Sequence, residues 1–266
     1  MNEIVVGVDG SEPSGAALDW AAHEAQRRGS RLRIVHALPP LSEENELPAA
    51  EERARRAAPG IEIVTEQVTD GPQEALMERA GSAELVVVGT HGHGSVASLI
   101  VGSVAAGLAG SAPVPVVLLK DDASLRAEGP VVVAVPENPV AEVLDAAAHE
   151  ADLRDLPLRI VHTWWEPPVE GFGAPAPIMP LDPAPIIDAL RERLEAELEP
   201  WLGKRPGTTL TVVQGHPRDM LIELSGETGL LVLGRHEKPG RHLRALGSVT
   251  RSVIHRADCP VMVVGV

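Results

Sequence analysis

Residues 89–103 read GTHGHGSVASLIVGS and directly follow the apolar run at 85–88. Glycines let the backbone turn tightly and let a ligand approach the main chain closely. Where such a loop opens a helix, the first free amides attract anions, each favourable charge contact being worth about 0.3–1 kcal/mol. The natural reading of Gly89, Gly92 and Gly94 is a phosphate cradle. A helix expected over 95–110 puts Gly102 and Ser103 about two turns beyond the loop, where a small residue and a hydroxyl could close over a second phosphate. Three other chemistries fit less well. A P-loop needs GxxxxGK[ST], and no lysine lies in 89–103. The dinucleotide fingerprint is matched only in part, by Gly92, Gly94 and Ala97, and after the fourth strand rather than the first. His91 and His93 stand at i and i+2 without a third ligand nearby, a spacing more often found in loops than at metals.

A strand–helix alternation must position this loop. Short apolar runs at 4–8, 32–37, 61–68, 85–88 and 114–119 read as buried parallel strands. Helical patterns fall between them at 13–28, 42–58, 72–80 and 95–110. Right-handed crossovers then place helices on both faces of a sheet, with ligands beyond the carboxyl ends of its strands.

The chain repeats itself. LDWAAHEAQRRGSRLRIVH at 18–36 and LDAAAHEADLRDLPLRIVH at 144–162 agree at thirteen of nineteen positions. Further on, VVVGTHG from Val86 matches LVLGRHE from Leu231, and PVVLL from Pro115 matches PVMVV from Pro260. The offset grows from 126 to 145 residues, so the second half carries a net insertion of 19. It falls in the Pro-rich segment 163–185, which holds Trp164, Trp165 and Phe172. The second half predicts strands at 131–135, 158–162, 208–213, 230–233 and 261–264, and helices at 140–154, 186–202, 218–227 and 242–256. The polar stretch 121–129 reads as a linker between domains at 1–121 and 129–266. Both last strands are apolar and would be open edges if left alone.

Composition narrows the function. Apolar residues make up 44% of the chain, which makes it globular. Aromatics are 2%, too few for stacking platforms on single-stranded nucleic acid. The net charge of -15 repels nucleic acid and anionic membrane surfaces, so neither is expected as a partner. The single Cys259 cannot form an internal disulfide and reads as a small core residue in a reducing compartment. With no basic leader and no run of 18 apolar residues, a cytoplasmic protein is expected.

Gly89-x-x-Gly92, nine residues, then Gly102-Ser103 matches the GxxG-x9-G[ST] pattern of the universal stress protein family. IVVGVDGS at the start and RIVHAL at the second strand resemble it too, and the resemblance covers both halves. It implies α/β architecture: two tandem flavodoxin-like (Rossmann-like) doubly wound parallel five-stranded sheets of order 3-2-1-4-5. It also implies ATP in the first half and a regulatory role in the stress response. Carried over by position, Gly7, Val8 and Asp9 would meet the nucleoside, with Asp9 on the ribose hydroxyls or the adenine edge. Ala37 would offer backbone groups to adenine. Gly89, Thr90, His91, Gly92, His93, Gly94 and Ser95 would wrap the phosphates, and Gly102, Ser103 and Val104 would complete the cradle. Mg, if present, would ride on phosphate oxygens. The plain alternative for Asp9 is a turn or cap residue before Gly10-Ser11. The family further suggests that last strands pair between domains, joining the two halves and giving a homodimer of the whole chain.

The second half departs from the pattern. Pro136 aligns with Asp9, and Glu237 aligns with Gly92, where a negative side chain would face a polyphosphate. ATP is therefore expected to bind this half weakly or not at all. Arg235, Lys238, Arg241, Arg244 and Arg251 gather around the altered loop, as a basic face, an interface or a site for another anion. No catalytic constellation emerges: GxSxG is absent, and no arginine or lysine lies in the first phosphate loop. The competing classes are a slow ATPase or nucleotide hydrolase and an interaction scaffold without nucleotide.

Overall fold

The computed structural model describes residues 2–37, 45–92, 101–120, 129–165, 182–235 and 246–266. The first half runs β1 (Glu3–Val8), α1 (Glu12–Arg28), β2 (Arg31–Ala37), α2 (Leu47–Ala57), β3 (Ile63–Val68), α3 (Pro72–Ala80), β4 (Leu85–Gly89), α4 (Ser103–Ser111) and β5 (Val116–Leu119). The second repeats it as β6 (Val131–Val135), α5 (Ala141–Arg154), β7 (Leu158–Trp164), α6 (Ala184–Leu202), β8 (Thr209–Gln214), α7 (Pro217–Ser225), β9 (Leu230–Arg235), α8 (Ser248–Arg256) and β10 (Val261–Gly265). The linker reading and most of the Pro-rich insertion fall outside the described residues. What is described of the insertion extends β7 through Trp164 and starts α6 at Ala184.

One sheet of ten strands results, in the order β3-β2-β1-β4-β5-β10-β9-β6-β7-β8. Each half shows the expected 3-2-1-4-5 order, and the two join through β5 and β10. That junction is antiparallel, with Val261 opposite Leu118, Met262 opposite Val117 and Val263 opposite Val116. All other pairings are parallel. The sequence reading also places a homodimer on these last strands, and this needs correction. β5 is hydrogen-bonded to β4 and β10, and β10 to β5 and β9, so neither offers an edge to a second copy.

Strand side chains alternate between two cores. Ile4, Val6 and Val8 face α1 and α2, in a layer that continues into α5 and α6 of the second half. Val5, Val86 and Val88 face α3 and α4, in a layer continuing into α7 and α8. Strands buried on both faces need no polar alternation, which is why they read as unbroken apolar runs. Cys259 is buried in the second core.

A ring of buried charge joins the halves. Glu24 is fully buried on α1 and Glu150 nearly so on α5; they are the same position of the two copies, as are Arg28 and Arg154. Arg28 donates Nε to Glu24 at 2.7 Å and Nη2 to Glu150 across the junction. Arg154 donates Nη1 to Glu150 and Nη2 back to Glu24 at 2.7 Å. Burial opposes the charge on Arg28, but the fields of Glu150 and Glu24 outweigh it, and its pKa is raised. The Arg154 guanidinium also lies 5.6 Å from the ring centre of Trp20. The sequence reading left these residues in a repeat with no role. Their identity in both copies is the one trace they leave in the sequence.

Candidate functional site

A cavity of about 400 Å³ opens at the carboxyl ends of β1, β2 and β4, where the strand order reverses. Gly7, Val8 and Asp9 line it from β1 and its exit, Val35 and Ala37 from β2, and Pro72 and Leu76 from α3. Val88, Gly89, Thr90, His91 and Gly92 line it from β4 and the following loop, and Gly102, Ser103, Val104 and Ala105 from the start of α4. Every site residue expected from the sequence that lies within the described residues is in this lining. His93, Gly94 and Ser95 lie outside them. Ser14 and Leu76 are wall residues that the sequence reading did not single out.

Local chemistry explains the first wall. Ser11 caps α1, its Oγ accepting from the Ser14 amide at 3.4 Å. Asp9 Oδ1 accepts from the Ser11 amide at 3.0 Å and from Ser11 Oγ at 2.6 Å. Gly10 supports this turn in the left-handed region, at φ 80°. The turn role of Asp9 is therefore real, and its bonds to Ser11 run through Oδ1. The other, Oδ2, lies against Gly92, where an added Cβ would come within 2.1 Å of it. His36, pointing to the opposite side of β2, donates Nδ1–H to Val8 O at 2.8 Å and fixes the end of β1. His162 does the same to Val135 O at 3.0 Å in the second half. The shared IVH of the two copies carried that signal.

The phosphate loop is held at both ends. The Thr90 amide donates to Leu119 O at 2.8 Å, and Thr90 O accepts from the Gly102 amide at 2.8 Å. The three motif glycines within the described residues have different reasons. A Cβ on Gly89 would sit 2.8 Å from the Pro13 carbonyl carbon and 3.0 Å from the Ser14 amide, so β4 could not pass the start of α1. Gly92 makes room for Asp9. Among the described residues Gly102 meets nothing closer than 3.5 Å, and it belongs to the cavity lining.

The helix expected from residue 95 needs correction. α4 starts at Ser103, and Gly102 is its extended N-cap at ψ 154°. The first intrahelical bond is Ala106 N–H to Gly102 O, at 2.9 Å. The amides of Ser103, Val104 and Ala105 thus precede the helical ladder and belong to residues lining the cavity. Gly102-Ser103 is the helix start itself and not a point two turns inside it. No lysine or arginine lines this cavity among the described residues, so main-chain amides are what its lining could offer an anion. Also among those residues, no group of three His, Cys, Asp or Glu is placed to hold a metal, and no helix is long and apolar enough to cross a membrane.

In the second half Val135 pairs with His162 as Val8 pairs with His36, which puts Pro136 at the place of Asp9. Glu237, Lys238, Arg241 and Arg244 lie outside the described residues. Arg251 is exposed on α8. Arg235 is not part of a solvated basic face: it is 7% exposed, and its guanidinium bonds to the first half.

The comparisons agree with this architecture. A model of the universal stress protein family matches residues 1–120 and again 129–265. A universal stress protein of Mycobacterium tuberculosis is 30% identical over 288 residues, covering 98% of this chain and 96% of its own. One from Mycolicibacterium smegmatis has the same identity and coverage. Among solved structures, a universal stress protein from Archaeoglobus fulgidus shares the fold with a TM-score of 0.68 at 18% identity, covering 99% of this chain and 98% of that one. A functionally unknown protein from Pseudomonas aeruginosa superposes with a TM-score of 0.70 at 16% identity, covering 100% and 92%. With the family model falling once on each half of the ten-stranded sheet, the chain belongs to the universal stress protein family, as a tandem member.

Proposed function

We propose that this is a cytoplasmic ATP-binding regulator of the stress response, with ATP held by the first domain, residues 1–121. The observation that carries the reading is one cavity lined both by Asp9 and by Ser103, Val104 and Ala105, whose amides precede the helical ladder of α4. Its volume of about 400 Å³ falls within the range of small-molecule sites, roughly 300–1,000 Å³. In this reading adenine lies against Val35, Ala37 and Leu76, and Asp9 takes the ribose hydroxyls. The phosphates lie on Gly89, Thr90, His91, Gly92, Gly102, Ser103 and Val104; His93, Gly94 and Ser95, expected to share that role, lie outside the described residues. Mg would be held on phosphate oxygens and would offset their charge; no protein ligands are assigned to it. Among the described residues the lining holds no lysine or arginine to stabilise a transferring phosphoryl group, which supports binding over turnover. The second domain, residues 129–266, is a support whose own site is lost.

Calorimetry with ATP and Mg tests the reading, alongside Gly92→Glu, which copies the second half. The wild type should bind, and the variant should lose at least about tenfold in affinity, or 1.4 kcal/mol. No heat of binding from folded wild-type protein at millimolar ATP would end the proposal.

A further inference from the structure

Arg235 stands where Thr90 stands in the first half, at the end of the strand that leads into the phosphate loop. Its guanidinium leaves its own domain's loop. Nη1 donates to Ala109 O at 3.0 Å and Nη2 to Ala112 O at 3.1 Å, both at the C-terminal end of α4. That helix begins at the proposed phosphate site. α4 reads SVAAGLAGS, with Gly107 and Gly110 in nine residues. Each glycine makes a helix interior about 1 kcal/mol less favourable than alanine would, so α4 depends on tertiary anchors. A buried cation on its last carbonyls satisfies orphan acceptors and opposes the negative end of the dipole. Space for the guanidinium comes from Gly265, paired with Arg235 in the sheet; a Cβ there would lie 2.3 Å from Nη2. The first half has Lys120 at the place of Gly265, and Lys120 Nζ donates to Arg256 O at the end of α8, at 3.4 Å.

We propose that Arg235 is a positioning residue for the first domain's nucleotide site: the second domain's altered loop strand has become the anchor of α4. This rests on the nucleotide reading above, and the experiment separates the two. Affinities for ATP and for adenosine are measured in the whole chain for the wild type, Arg235→Met, Arg235→Lys and Gly265→Ala, together with amide exchange at Ala106. Arg235→Met is expected to lower ATP affinity about tenfold, the size of losing hydrogen bonds from a charged donor, while adenosine stays within about twofold. Arg235→Lys should recover part of the loss. Gly265→Ala, which keeps the arginine but takes its space, should behave like Arg235→Met and covers the case in which the latter fails to fold. Exchange at Ala106 should quicken in both damaged variants. Equal loss of ATP and adenosine binding, or unchanged ATP affinity, would overturn the positioning role. If the wild type binds no nucleotide, the reading above fails by itself. Ala106 exchange then decides the anchoring of α4: faster in Arg235→Met supports it, and equal rates refute it.

Discussion

Replacing Glu24 by glutamine should unsettle the junction of the two halves more than any surface change. Glu24 is 0% exposed and accepts from Arg27, Arg28 and Arg154. Glutamine keeps one acceptor oxygen and loses the charge. Arg28 and Arg154, with side chains 9% and 7% exposed, would then share Glu150 alone. Breaking a buried ion pair from one side costs about 3–5 kcal/mol, because the remaining charge stays desolvated without its partner. In a domain of some 150–250 residues each kcal/mol moves Tm by roughly 2–4 °C, so a fall of about 10 °C is expected in scanning calorimetry. A companion variant sharpens the reasoning. With Glu24, Arg28, Glu150 and Arg154 all changed to leucine or methionine, no buried charge is left stranded. Stability should then return to within a few kcal/mol of the wild type, or exceed it. The account is refuted if Glu24→Gln costs less than about 1 kcal/mol, or if the fourfold variant is as damaged as the single one.

Two further perturbations test other parts of the frame. Gly89→Ala places a Cβ 2.8 Å from backbone at Pro13, which cannot swing aside, so a loss of about 1–3 kcal/mol is expected in urea unfolding with an unchanged m-value; a loss under 0.5 kcal/mol would contradict the close approach. Glu66 has its pKa lowered, first by the hydrogen bond from Arg79 and then, against a burial contribution of opposite sign, by that from Arg33. Its stabilising contribution is present above the unfolded value of about 4.3 and is lost as pH falls through the lower folded value. Glu66→Gln should therefore be less stable than the wild type at pH 7 and approach it below about pH 4, and a gap that stays constant down to pH 3 would refute the assignment.

Much of this was legible because burial on both faces of the sheet leaves a plain trace. Runs such as Ile4–Val8 and Leu85–Val88 give the strands, and the repeat gives the second domain. Two apolar last strands showed that something must cover them, and the family resemblance supplied the pairing of one half with the other. Three things were not. The start of α4 depends on the backbone angles of Gly102, and a glycine inside an apolar stretch does not announce whether it sits within a helix or caps one. The charge ring was hidden because Glu24, Arg28 and their copies have i,i+4 spacing, which any solvated helix face also shows. Arg235 was grouped with neighbouring cations, when its direction is set by Gly265 thirty residues later.

The two altered positions of the second half are less independent than they look. In the first half Asp9 Oδ2 occupies the space into which a Cβ at residue 92 would project. As placed, the aspartate carboxylate and a side chain at residue 92 compete for the same space, so a larger residue there would push Asp9 aside. With proline at the first position, as at Pro136, there is no carboxylate for the second position to accommodate. The second half thus lacks together the two residues to which the proposed function gives the nucleoside and the phosphates. The strand before Glu237 carries Arg235, and Arg235 reaches α4 of the other domain. On this argument the second half is not a weakened copy of the first. Where the first half has Thr90 at the cavity, the second has Arg235 on the carbonyls that end α4.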